Sequence, residues 1–191
     1  MTIICRSPGK AIILGEYALL QGGPGLVVAV DRYVECRITR ACRFELEAMG
    51  QHYEAKTTKA LKSCDPRLAV VAAVFDALLA EPELPSLKVS IDSSSFSQGE
   101  AKLGLGSSAA VAVSLAHALR ILRERAVTPA ALFADALRAH RSAQGGVGSG
   151  IDIAASACDH CRARGQRVSS PRHQGLPRPR VGLRSLTYST R

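Results

Sequence analysis

Lys102-Leu-Gly-Leu-Gly-Ser-Ser-Ala-Ala110 runs directly into an apolar helical pattern from Val111 to Leu122. Gly104 and Gly106 allow the backbone to turn tightly enough for consecutive amides to converge, and a helix starting there adds the positive end of its dipole. The segment therefore reads as a cradle for an anion, with phosphate the natural candidate. It is not a Walker A loop, because no Gly-Lys-Ser/Thr follows a first glycine at the required distance. Without other motifs the same loop would be an ordinary helix cap.

Two further segments change that reading. On the N-terminal side stand Ser7-Pro-Gly-Lys10 and Ala11-Ile-Ile-Leu-Gly-Glu-Tyr17, followed by Gly22-Gly-Pro-Gly25 and the apolar run Leu26 to Val30. On the C-terminal side stands Ala139-His-Arg-Ser-Ala-Gln-Gly-Gly-Val-Gly-Ser-Gly-Ile-Asp152. In this order and spacing the three segments resemble the GHMP kinases, which phosphorylate galactose, homoserine, mevalonate and related small molecules. The resemblance covers residues 1–157. Lys102 and the wording of the 139–152 segment are most similar to the phosphomevalonate kinases of isoprenoid biosynthesis, with the mevalonate kinases next.

The resemblance implies an α+β domain with a left-handed βαβ crossover, and a C-terminal ferredoxin-like domain that closes the cleft in full-length members. It also implies ATP and Mg2+, and as acceptor phosphomevalonate first, with mevalonate or the sugar or alcohol of another GHMP kinase as alternatives. Gly104, Leu105, Gly106, Ser107, Ser108 and Ala109 match the ATP-binding loop, with Ser108 also toward magnesium. Asp152 matches the aspartate near the acceptor oxygen, and Lys10 matches the lysine that approaches it from the first strand. Glu16 is expected to orient Lys10 or its turn.

Phosphoryl transfer chiefly needs the donor held, its charge neutralised and the acceptor oxygen in line. A lysine beside Asp152 would attract the carboxylate and neutralise charge on the transferring group. An alcohol acceptor profits from a nearby base. A phosphate monoester, whose second pKa is about 6, chiefly needs cations. Lys102, His140 and Arg141 fit that second demand, and Ser149 with the Gly150 amide could add an anion nest. An ungapped count from Asp152 to the position where mevalonate kinases place a magnesium-holding glutamate lands on Arg141, and no replacement carboxylate stands out. Read without the resemblance, Asp152 is a helix cap and Lys10 a surface charge.

The rest of the chain fits an α+β domain. Val34, Cys36 and Ile38 alternate with charged residues over 32–40, as do Phe44, Leu46 and Ala48 over 43–48, which predicts two antiparallel strands. Asp65-Pro66 caps a helix through Leu79 that Pro82 closes, and Leu87 to Ile91 predicts a strand leading to the glycine loop. Thr128-Pro129 opens a further helix to Gln144, and Asp152 begins a short Ala-rich one.

The 191 residues carry a net charge of +9, but residues 1–157 hold 17 basic against 15 acidic side chains. Residues 158–191 hold eight arginines against Asp159 alone, so the basicity belongs to the tail and argues against nucleic acid as the partner of the folded part. That tail lacks apolar periodicity and is expected to be unstructured, as a disordered or out-of-frame segment. Salt-sensitive nucleic-acid binding by the tail alone, or a non-catalytic fragment that retains only the fold, are the rival readings. The six scattered cysteines predict thiols in a cytoplasmic protein. Cys158-Asp-His-Cys161 is half a zinc site without its other half. No membrane span is expected, and oligomerisation has no signature.

Overall fold

The computed structural model describes residues 1–15, 17–18, 23–79, 81, 83–99, 101–146, 148–158, 162–164 and 186–188. Two long strands, β1 (Thr2–Leu14) and β2 (Gly25–Arg40), form an antiparallel pair. After them come β3 (Glu45–Ala48), β4 (Gln51–Glu54) and α1 (Thr58–Cys64). A 3-10 turn (Pro66–Leu68) then leads into α2 (Ala69–Leu79) and β5 (Leu87–Asp92). A short hairpin of β6 (Ser97–Gln98) and β7 (Ala101–Lys102) precedes the helices α3 (Ser107–Leu122), α4 (Pro129–Ala143) and α5 (Ile151–Cys158).

The main sheet has the order β4-β3-β5-β2-β1, extended beside β1 by β8 (Arg162–Arg164) and beside β2 by β9 (Leu186–Tyr188). β3 and β5 are parallel, and the connection between them runs through β4, α1 and α2. Strict alternation sorts the two faces. Ile3, Cys5, Val34, Cys36, Ile38, Leu46, Val89 and Ile91 are buried and face the helices, whereas Arg6, Glu35, Arg37, Glu47 and Lys88 form ion pairs on the open face. The architecture is one mixed sheet with a helical layer, the α+β arrangement the sequence predicts.

The two antiparallel strands expected over 32–40 and 43–48 are found running in opposite directions, though not as neighbours. Those residues do form β2 and β3 with the expected buried faces, but β5 lies between them and pairs with both. The alternation gives each strand its face and is silent on its neighbour. The Asp65-Pro66 start is found as a cap on the 3-10 turn: the Asp65 carboxylate accepts from the Arg67 amide at 2.8 Å and from the Tyr53 hydroxyl at 3.0 Å. Arg67 beside it holds that carboxyl well below the usual carboxylate range. Pro82 lies outside the described residues.

Most of the basic tail also lies outside them, as does Cys161; the two described stretches beyond Cys158 are the three-residue strands β8 and β9. Cys5, Cys36, Cys42 and Cys64 are thiols. No described helix is long and apolar enough to cross a membrane.

α3 is the central helix, packed on β1, β2, α2, α4 and α5. Its small residues Ala109, Ala110, Ala112, Ala116 and Ala118 are fully buried, which allows these close approaches. It also buries His117, whose Nδ1 has no hydrogen-bond partner among the described residues. Burial disfavours the charged ring and pushes its pKa down to about 4 from 6.5. The unfolded chain therefore takes up a proton between pH 6.5 and 4 that the folded chain refuses, and stability falls as pH falls through that window. The expected loss is about 3 kcal/mol. Urea unfolding at pH 7 and pH 4 should show most of that loss disappearing in His117→Leu; an unchanged difference would remove His117 as its source.

Candidate functional site

β1 carries an irregularity between Pro8 and Gly9, where its register with β2 shifts. Proline has no N–H to give to the ladder and belongs at such a point. The bulge is held from below, because the buried Ser156 hydroxyl of α5 donates to the Pro8 carbonyl at 2.8 Å. Beyond the bulge the glycine loop lies against the strand. The Lys10 amide donates to the Leu105 carbonyl at 2.8 Å, and a Cβ on Gly9 would stand 2.7 Å from that same oxygen. Only glycine permits this approach.

Gly106 is the N-cap of α3 in the left-handed region, with φ 73°. It offers no side chain to the helix, and the first backbone bond of the helix runs from the Ala110 amide to the Gly106 carbonyl. The amides of Ser107, Ser108 and Ala109 thus have no intrahelical acceptor, which is the arrangement that receives an anion. The Lys10 stem crosses the place a Gly106 Cβ would occupy, 2.8 Å from Cε and 2.9 Å from Cγ.

At the end of that stem the Lys10 ammonium meets Asp152 Oδ1 at 3.2 Å. Lys10 is 12% exposed and Asp152 35%, so the pair is sheltered on the lysine side and open to a ligand on the other. Asp152 stands in the first turn of α5, after Gly150, where the helix dipole favours a carboxylate. One residue therefore ties the two halves of the site together: the Lys10 backbone holds the glycine loop and its side chain holds the aspartate.

Two clefts flank this junction. The first, of about 290 Å³, is lined by Lys10, Ile12, Tyr17, His140, Gln144, Ser149, Gly150 and Asp152 among others. The second, of about 420 Å³, is lined on one side by Ser107, Ser108 and Lys102 and on the other by Met49, Arg67, Ser94 and Phe96. Ser108 and His140 join the clefts, with the serine Oγ 3.1 Å from His140 Nε2. His140 is buried, and that burial lowers its pKa while the Asp152 carboxylate works in the opposite direction.

The structure thus brings together Lys10, Asp152, His140, Ser149 and Gly150, and places the glycine loop against them. It does not bring the three expected acceptor cations together. Lys102 is exposed on β7 in the second cleft, and the exposed Arg141 turns away to donate from Nε to the Gly148 carbonyl at 3.1 Å. Glu16 lies outside the described residues. Gln144, Met49 and Arg67 are cleft residues that the sequence did not single out. Gln144 could have been found from its i,i+4 relation to His140, whereas Met49 and Arg67 come from elements remote in sequence from any motif. Among the described residues no group of three or more His, Cys, Asp or Glu side chains could hold a metal, so an oxygen-seeking cation would depend on Ser108, Asp152 and its ligand's own oxygens.

Residues 68–160 match the family model described as GHMP kinases N terminal domain. Among solved structures, the Lin0012 protein of Listeria innocua is similar at 29% identity and a TM-score of 0.70, over 82% of this chain and 46% of that one. A phosphomevalonate kinase of Streptococcus pneumoniae, solved with phosphomevalonate and AMPPNP, is similar at 22% identity and a TM-score of 0.68, over 83% and 48%. The mevalonate kinase of Methanococcus jannaschii is similar at 17% and 0.65, over 84% and 52%. The chain spans about half the length of these proteins. No curated protein matches it.

Proposed function

From the match of residues 68–160 to the N-terminal domain of the GHMP kinases we propose that the chain belongs to that family, binds ATP with Mg2+ and transfers the γ-phosphate to a small-molecule acceptor, 5-phosphomevalonate before mevalonate. The observation that carries the reading is the contact of the Lys10–Asp152 ion pair with the glycine loop, through the Lys10 amide on Leu105 and the Lys10 stem on Gly106. A donor cradle and an acceptor-side charge pair share one residue, which is what in-line transfer between two bound molecules requires.

In this reading the amides of Ser107, Ser108 and Ala109 take the terminal phosphates, assisted by the dipole of α3. The second cleft, which opens from the same loop between Met49 and Arg67, has the room to take the rest of the nucleotide. Magnesium, held in part by the Ser108 hydroxyl, would supply positive charge to the phosphate oxygens. Asp152 orients the acceptor oxygen from the first cleft and can accept its proton where the acceptor is an alcohol. Lys10 bridges the acceptor side and the transferring group, neutralising charge that develops between them.

The choice of phosphomevalonate rests on the wording of the 139–152 segment, since Lys102, His140 and Arg141 stand in three different places. The first cleft still offers an acceptor phosphate the Lys10 ammonium and the turn at Ser149-Gly150. A coupled ADP-release assay with ATP and Mg2+, offering phosphomevalonate and mevalonate separately, tests the proposal. Turnover with phosphomevalonate in excess of mevalonate is expected. The reverse order would move the acceptor to mevalonate. No turnover with either, in folded protein that binds ADP, would leave a nucleotide-binding fold without transfer activity.

A further inference from the structure

Ser108 on α3 and His140 on α4 meet at the boundary between the clefts, and a third group shares their contact. Gln144, one turn on at the C-cap of α4, brings its amide nitrogen to 3.4 Å from His140 Nε2, the ring atom that Ser108 Oγ approaches at 3.1 Å. An amide nitrogen only donates. With that amide donating to it, Nε2 carries the lone pair and the neutral imidazole keeps its proton on Nδ1, so the Ser108 hydroxyl that shares Nε2 is a donor as well.

That tautomer decides what Ser108 can do. With its proton committed to His140, the hydroxyl has none to give to a phosphate oxygen, and its remaining lone pairs are available to a cation. The opposite tautomer would donate to the serine oxygen, release the hydroxyl proton toward an anion, and set a ring N–H against the Gln144 amide. Ser108 opens onto the second cleft and His140 onto the first, so the imidazole is a second side chain, beside Lys10, through which the acceptor side touches the loop.

We propose that His140 is a positioning residue for Ser108: its Nε2 holds the hydroxyl proton, so that the serine oxygen acts as a ligand for the divalent cation that accompanies the nucleotide. The inference rests on the kinase reading above. It gives His140 a role on the donor side, in place of the acceptor-phosphate contact that its residue type invites. Outer partners of this kind typically contribute 10–100-fold to metal affinity.

Two measurements on the full chain test it. Nitrogen NMR of histidine-labelled protein at pH 8 should show His140 protonated at Nδ1 and bare at Nε2. A fluorescent ADP analogue, titrated with and without Mg2+, should bind more tightly with the metal in the wild type. In His140→Leu that tightening should shrink by about 10–100-fold while metal-free affinity is retained. Ser108→Ala should lose the same increment from the other side, and His140→Gln, whose amide oxygen can stand where Nε2 stood, should recover most of it. A protonated Nε2, an equal loss with and without metal, or no recovery in the glutamine variant would overturn the proposal. Absence of ADP binding by folded wild-type protein would overturn the kinase reading and the cation role with it, while the ring spectrum still decides the hydrogen-bond assignment.

Discussion

Replacing Lys10 with methionine is expected to lower turnover by about 10²–10³-fold while ADP binding stays nearly unchanged. Methionine keeps an unbranched apolar stem across Gly106, so the packing between β1 and the glycine loop survives. The Lys10 backbone bond to Leu105 does not depend on the side chain at all. What disappears is the ammonium 3.2 Å from Asp152. Asp152→Ala removes the other partner and should lower turnover by about 10²–10⁴-fold, again with ADP binding retained. Steady-state kinetics beside ADP titrations on each variant separate the two effects. If both variants lose nucleotide affinity in proportion to turnover, the ion pair belongs to the donor site and its place in transfer must be withdrawn.

Gly106→Val should be as damaging by a different route. A β-branched residue at φ 73° is strained by about 1–2 kcal/mol, and its Cβ would meet Lys10 Cε at 2.8 Å and Cγ at 2.9 Å. The lysine stem can move aside, but only by taking the ammonium away from Asp152. A displacement of about 1 Å at a reacting centre lowers turnover by roughly 10²-fold. Gly104→Val is the matched control. Its φ of 68° imposes similar backbone strain, yet a Cβ there has no atom within 4 Å. The two variants should melt at similar temperatures, and turnover should fall much further for Gly106→Val. Equal losses would mean that backbone strain alone disrupts the loop.

The parts of this site that were legible in the sequence are those whose chemistry is local. Gly104 to Ala110 declares a tight turn feeding a helix, and Gly150-Ile-Asp152 declares another helix start, because glycine and capping residues act over a few positions. Lys10 is different. Its own residues show only a strand with a glycine, and its meeting with Asp152 came from resemblance to a family. The same limit explains the strand pairing. β2 and β3 each show their buried face, but β5 inserts between them from the far side of α2, and no local pattern records that. α1 was missed because only Thr58 and Leu61 are buried in it, too few to mark a helical period. Met49 and Arg67 reach the second cleft through the β3–β4 turn and the Asp65 cap, and neither position carries a motif.

The anchoring of β1 bears on how the chain acquires its shape. Pro8 is tied to Ser156, 148 positions away, Lys10 to Leu105 by backbone and to Asp152 by charge. Such contacts close very long loops, and their entropy must be met before any of them forms. The charge pair therefore forms only once α5 has docked, since Asp152 stands on that helix. During synthesis the first strand leaves the ribosome long before the residues that complete its site, so a ligand-sensitive signal during refolding should belong to the last kinetic phase.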